Sequence, residues 1–115
     1  MVNQICIAGL VQGLSEVINF GQKEGLDMNN ALNVIVGGAA QSGQLENRGN
    51  TMLDDEFDFG FAVDWMRKNL RIFIHESEGN GEELPITALV AQFYARISNQ
   101  GYGRNDTSSL IRPLR

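Results

Sequence analysis

The chain has 115 residues, a length that suits one domain with a core of its own. Hydrophobic residues make up 43 % and the formal charge is −5, which excludes intrinsic disorder and a basic nucleic-acid-binding face. A single cysteine, Cys6, excludes a disulfide framework and fits a cytoplasmic setting, and no apolar run reaches the roughly 18 residues needed to span a membrane.

The apolar residues recur with a helical period almost throughout. Val2, Cys6, Gly9 and Gly13 form one stripe, and Ile7, Leu10, Val11, Leu14, Val17 and Ile18 a second, wider one. Together they predict a first helix over roughly residues 1–24, apolar around much of its circumference and therefore central and buried, with Cys6 as a small core hydrophobe. Gly9 and Gly13 lower its helix propensity, and their spacing predicts a neighbour packed very close. Gly25 suits its left-handed end. No capping residue precedes the apolar pattern, so the chain reads as one that begins inside a helix, and its first residues lack the basic start of a signal peptide.

Asp27 is a candidate N-cap for a second helix over roughly 28–37, ended by Gly37 and Gly38. Ser42 is a candidate cap for a third over roughly 43–54, where Gly49 is an unfavourable interior residue. A loop containing Phe57, Phe59, Gly60 and Phe61 follows. Val63, Met66, Leu70 and Phe73 predict a fourth helix over roughly 62–78, stopped by Gly79 and Gly81. Pro85 suits the first turn of a fifth helix that carries Ile86, Leu89, Val90, Phe93, Tyr94 and Ile97 to about Asn99. Gly101 and Gly103 end it, and Asp106 or Thr107 caps a last short helix closed by Pro113. No strand, repeat or dividing linker is visible, so the expected fold is all-α, five to six helices around one core.

Catalytic signatures are absent. The lone His75 and the lone Cys6 exclude a zinc site and a Cys–His pair, and no P-loop, G-x-S-x-G or strand-borne G-x-G-x-x-G occurs. The acidic run Asp54, Asp55, Glu56 and Asp58 lacks calcium-loop spacing and reads as a solvated segment. Gly101-Tyr102-Gly103 follows a helix and reads as a stop and a turn. From the residues alone the chain is a helical domain that covers a ligand or binds a partner.

Four segments, in their order and helical setting, go further. They are Met1-Val2-Asn3-Gln4, Gly37-Gly38-Ala39-Ala40-Gln41-Ser42, Phe59-Gly60-Phe61 followed by Lys68-Asn69-Leu70, and Gly101-Tyr102-Gly103-Arg104-Asn105-Asp106-Thr107-Ser108-Ser109-Leu110. Leu84-Pro85-Ile86-Thr87 adds a helix start of the same kind. Together they resemble the C-terminal half of the β-hydroxyacid dehydrogenases, the family of 3-hydroxyisobutyrate dehydrogenase and tartronate semialdehyde reductase, which is related to 6-phosphogluconate dehydrogenase. The resemblance covers essentially the whole chain.

It implies a C-terminal domain of an NAD- or NADP-dependent oxidoreductase acting on a small β-hydroxyacid or its semialdehyde. The family's catalytic motif ends in Lys-x-x-Asn-Asn/Gln, so Asn3 and Gln4 match its end and the lysine would fall just before Met1. The resemblance makes Asn3 and Gln4 a substrate-side polar pair; read alone, they are polar residues on a first turn. Likewise Phe61 becomes a cover for the substrate and Lys68 and Asn69 the cofactor side of the cleft, where Lys68 read alone is an exposed lysine. Asn69 departs from the family's aspartate and has no charge with which to steady a nearby lysine.

With neither the catalytic lysine nor a Rossmann domain, the chain is expected to show no turnover and no tight cofactor binding by itself. Its expected partners are a nucleotide-binding Rossmann domain and further copies of itself, as a homodimer or larger homo-oligomer. No metal, nucleic acid or membrane is expected. The competing reading is a non-catalytic helical dimerisation module, favoured by the apolar first helix.

Overall fold

The computed structural model describes residues 2–115. Their regular structure is helical, as expected: α1 (Asn3–Lys23), α2 (Met28–Val36), α3 (Gly43–Leu53), α4 (Val63–Asn80) and α5 (Pro85–Ile97). A π-helical turn over Ser98–Tyr102 and a 3-10 helix over Thr107–Leu114 complete the chain. No helix among the described residues is long and apolar enough to cross a membrane.

The caps read from the sequence hold the helix starts. The Asp27 side chain accepts from the Asn30 amide, and Ser42 Oγ accepts from the Leu45 amide at 3.1 Å. Pro85 occupies the first turn of α5. Of the two candidates for the last cap, Asp106 is the one used: its carboxylate accepts from the Ser108 amide at 3.1 Å. Gly25 takes the left-handed conformation just after α1, at φ 80°. The fourth helix runs two residues further than its apolar spacing predicts, through Gly79 to Asn80. The fifth is shorter than expected because it passes into the π turn, which bends where Gly101 has φ 96°.

α1 lies at the centre and packs against α2, α3, α4, α5 and the 3-10 helix. Ala8, Val11, Leu14, Ser15, Ile18 and Gly21 are its buried residues, spaced three and four apart. The core they enter is completed by Leu45 and Met52 from α3, Met66 and Leu70 from α4, Val90, Tyr94 and Ile97 from α5, and Leu110 and Ile111.

Three expectations for α1 fail, all for one geometric reason. The helix is central but not buried all round: Leu10, Val17 and Phe20 are exposed, Phe20 to 67 %. Cys6 is exposed rather than a core residue, because the Val2–Cys6 stripe lies off the Ala8–Val11–Ile18 face. Gly9 and Gly13 meet no closely packed neighbour. A methyl at Gly9 would make ordinary contact with Ile86 at 3.8 Å, and one at Gly13 would meet nothing within 4 Å.

Tyr94 is fully buried and its hydroxyl donates to the Thr107 carbonyl at 3.2 Å. Burial first, and the neighbouring Asp106 charge second, push this phenol far above the ordinary tyrosine value of 10.0. A raised folded-state value leaves stability untouched below the unfolded value. Above it, stability falls by up to about 1.4 kcal/mol per pH unit as the unfolded chain ionises and the folded one does not. Tyr94→Phe is expected to cost about 1 kcal/mol at neutral pH through the lost hydrogen bond and to remove this alkaline loss. Urea unfolding of both proteins at about pH 8 and about pH 11 measures it. Equal alkaline losses in both would contradict it.

Candidate functional site

The loop between α3 and α4 is tied to the segment before the 3-10 helix by backbone hydrogen bonds. Asp106 N donates to the Phe57 carbonyl at 2.8 Å, Thr107 N to the Phe61 carbonyl at 3.0 Å and Val63 N to the Asn105 carbonyl at 2.8 Å. Ala62 and Asp106 form an isolated antiparallel bridge. The Gly101–Gly103 stop contributes as well, since the Gly103 carbonyl accepts from Asp64 N at 2.9 Å. These bonds fix the Phe61 loop beside the segment that leads into the 3-10 helix.

A pocket of about 250 Å³ opens at that point. Asn3, Gln4 and Ile7 from the first turns of α1 line one side. Phe61, Met66, Asp106 and Thr107 also line it. Three of the side chains singled out from the sequence, Asn3, Gln4 and Phe61, therefore share one cavity although 57 positions separate Gln4 from Phe61. Helical periodicity and the loop's register bring them together.

The other two do not line this pocket. Lys68 is exposed on α4 with its Nζ 5.4 Å from the centre of the Trp65 ring. Asn69 donates its side-chain amide to the Trp65 carbonyl at 2.7 Å, one turn back on its own helix. The amide is thereby engaged with backbone rather than with Lys68.

Two further pocket residues escaped the sequence reading, Gln44 and Arg48 of α3. They are four apart on one helix, so they share a face, and that spacing was the available signal. Arg48 Nε donates to Asp106 Oδ2 at 3.1 Å, and its guanidinium lies 4.6 Å from the centre of the Phe59 ring. Asp106, only 1 % exposed, gathers donors from four directions. Oδ2 accepts from Arg48, from the Ser108 amide and from Ser108 Oγ at 2.6 Å, while Oδ1 faces the Phe61 amide at 3.5 Å. One carboxylate thus caps the last helix, fixes the arginine and orients the Phe61 loop.

The remaining titratable candidates are peripheral. The acidic run is exposed as expected, with Asp55 paired to Arg115 at 3.0 Å. His75 is exposed and 4.0 Å from Glu78. No group of three or more His, Cys, Asp or Glu side chains converges for a metal among the described residues.

The fold and the pocket define a class: an all-helical domain with a small cleft lined by polar side chains and an aromatic residue. Residues 1–114 match the family described as the NAD-binding domain of NADP-dependent 3-hydroxyisobutyrate dehydrogenase, and the chain belongs to that family. It is 54 % identical over 114 residues to an uncharacterised oxidoreductase of Shewanella frigidimarina. It is 28 % identical over 114 residues to the 2-hydroxy-3-oxopropionate reductase of Escherichia coli. In each case the match takes in 99 % of this chain and 39 % of the relative, so the chain spans about two-fifths of the length of these curated relatives. The fold is also that of a 3-hydroxyisobutyrate dehydrogenase from Salmonella typhimurium, with a TM-score of 0.87 at 24 % identity, covering 97 % of this chain and 39 % of that one.

The parent enzymes of the family use a nicotinamide cofactor. Among the described residues no strand leads into a glycine-rich turn and helix, the arrangement that cradles a dinucleotide pyrophosphate. The pocket volume also falls below the roughly 300–1,000 Å³ typical of drug-sized ligands, and so below what a dinucleotide needs. This pocket, taken by itself, has the size of a small polar molecule.

Proposed function

We propose that this chain is the C-terminal, substrate-covering domain of an NAD- or NADP-dependent dehydrogenase of small β-hydroxyacids, such as 3-hydroxyisobutyrate, or of the matching semialdehydes. One observation carries the reading: Asn3, Gln4 and Phe61 line a single pocket of small-molecule size in a chain whose residues 1–114 match this family. The amides of Asn3 and Gln4 hydrogen-bond the acid, and Phe61 covers it and excludes water. A dinucleotide-binding domain completes the cleft and holds the nicotinamide, which supplies hydride chemistry when bound. Lys68, exposed on α4, serves the cofactor side of that larger cleft, and Asn69 steadies the Trp65 turn beside it.

The test is a chimera. This chain replaces the matching residues of the Shewanella frigidimarina oxidoreductase, and NAD(P)-dependent oxidation of short β-hydroxyacids is followed by absorbance. The expected result is turnover by the chimera, none by the 115-residue chain alone, and a loss of about tenfold or more in kcat/KM on Asn3→Ala or Phe61→Ala. A folded chimera without turnover beside an active unmodified enzyme would overturn the reading, as would a nicotinamide-dependent rate from the chain alone.

A second reading, a helical dimerisation module, draws on the exposed apolar surface of α1 and α5. Leu10, Val17, Ile86 and Leu89 are all about half exposed. Both readings accommodate self-association, so sedimentation of the chain does not separate them. Hydride transfer by the chimera does.

A further inference from the structure

We infer that Arg48 is the anion anchor of the pocket and receives the carboxylate of a small acid ligand. The inference rests on the substrate-pocket reading for the location of the ligand and goes beyond it in naming the residue and the charge that select the ligand. Arg48 lines the same cavity as Asn3, Gln4 and Phe61, and it is the only cationic side chain to do so among the described residues.

Its guanidinium is held from two sides. Asp106 takes the Nε–H at 3.1 Å, and the guanidinium carbon lies over the Phe59 ring, 4.6 Å from its centre. One further N–H, on Nη1, reaches the Asn47 carbonyl at 3.3 Å. A guanidinium carries five N–H donors. Three are therefore left without an acceptor among the described residues. The side chain is 28 % exposed, so these donors meet solvent or a ligand rather than a buried void.

Asp106 does not cancel this positive edge within the cavity. It is the one carboxylate lining the pocket, and the Ser108 amide, Ser108 Oγ and the Phe61 amide share it with Arg48. The donors still free lie on the arginine. A fixed, planar pair of N–H groups matches two carboxylate oxygens, and such charge-assisted pairs are about twice as strong as neutral hydrogen bonds. A neutral ligand of the same shape gains far less. The pocket thus selects a small monocarboxylate, with Arg48 on the acid end and the amides of Asn3 and Gln4 available to the hydroxyl or carbonyl end.

The experiment titrates the 115-residue chain with 3-hydroxyisobutyrate and, separately, with its uncharged primary amide. NMR follows the Arg48 Nε–H and the Phe61 amide signals. The acid is expected to shift both signals and to bind at least about tenfold more tightly than the amide. Arg48→Gln is expected to abolish that preference, so that acid and amide bind with similar, weak affinity. Arg48→Lys, which keeps the charge but loses the paired donors, should retain part of the preference. If Arg48→Gln does not fold, the acid-to-amide ratios of the native chain and of Arg48→Lys decide the matter.

Equal binding of acid and amide by the native chain overturns the inference, as does an acid preference that survives in Arg48→Gln, or the absence of any binding. Its failure is separable from failure of the dehydrogenase reading. A chimera active on hydroxyacids whose KM is unmoved by Arg48→Gln removes the anchor and leaves the function. An Arg48-dependent acid preference in the isolated chain, with a chimera that transfers no hydride, leaves the anchor and removes the function.

Discussion

Asp106→Ala is expected to destabilise the folded chain by about 3 kcal/mol, within the range for removing one partner of a buried ion pair. The carboxylate is 1 % exposed and serves three segments at once. Its removal leaves the Ser108 amide without its cap, frees the Arg48 guanidinium and deprives the Phe61 amide of its facing oxygen. Losing a cap alone costs about 1 kcal/mol. Leaving buried donors unmet adds about 1–3 kcal/mol each in general. Arg48, being partly exposed, turns to water and limits the total.

Asp106→Asn should cost less, because an amide oxygen still accepts from Ser108, while its NH2 group cannot serve the arginine. Urea midpoints of the three proteins, at unchanged m-value, give the differences. A loss below about 1 kcal/mol for the alanine variant would mean that the loop is held by its backbone bonds alone. The same variant should loosen Phe61 and with it the pocket, so any ligand seen by NMR in the native chain should bind more weakly to it.

Much of the fold is legible in the sequence because its signals are local. Asp27, Ser42 and Pro85 announce three helix starts, and each acts as read. Apolar residues three and four apart place α4 and α5 and put Met66, Leu70, Val90 and Tyr94 inside. The orientation of α1 is not legible in this way. Its apolar residues cover more of the circumference than its neighbours do, so periodicity alone cannot say which of them stay in water. Cys6, Leu10 and Phe20 look as apolar as Val11 and Ile18, yet only the latter two are buried.

The site divides similarly. Asn3, Gln4 and Phe61 emerge from motif resemblance, and the fold brings them to one cavity. Gln44 and Arg48 belong to no such motif. Their contribution depends on the packing of α3 against α1 and on a partner 58 positions away, Asp106, which a one-dimensional reading sees only as a cap. A charged residue on a helix is ordinarily a solvated one. The exception becomes visible only when the buried carboxylate that holds it is known.

The core face of α4 and the outer face of α5 give the sharpest contrast for the packing itself. Leu70→Ala is expected to cost about 3 kcal/mol, and Leu89→Ala less than about 0.5 kcal/mol. Leu70 is fully buried, one turn beyond Met66. Truncating it removes apolar atoms from a site walled by helices that cannot close the gap completely, so a cavity penalty adds to the lost transfer energy. Leu89 is 48 % exposed, and its neighbour Val90 carries the packing of that turn of α5. Alanine there gives up little burial and has a slightly better helix propensity. Urea unfolding of the chain at low concentration, where self-association is minimal, measures both. If Leu89→Ala proves as costly as Leu70→Ala under those conditions, the α5 face assigned to solvent is buried within the single chain and the register of α5 is wrong. If its cost appears only as concentration rises, a second subunit covers that face, and the exposed leucine marks where it docks.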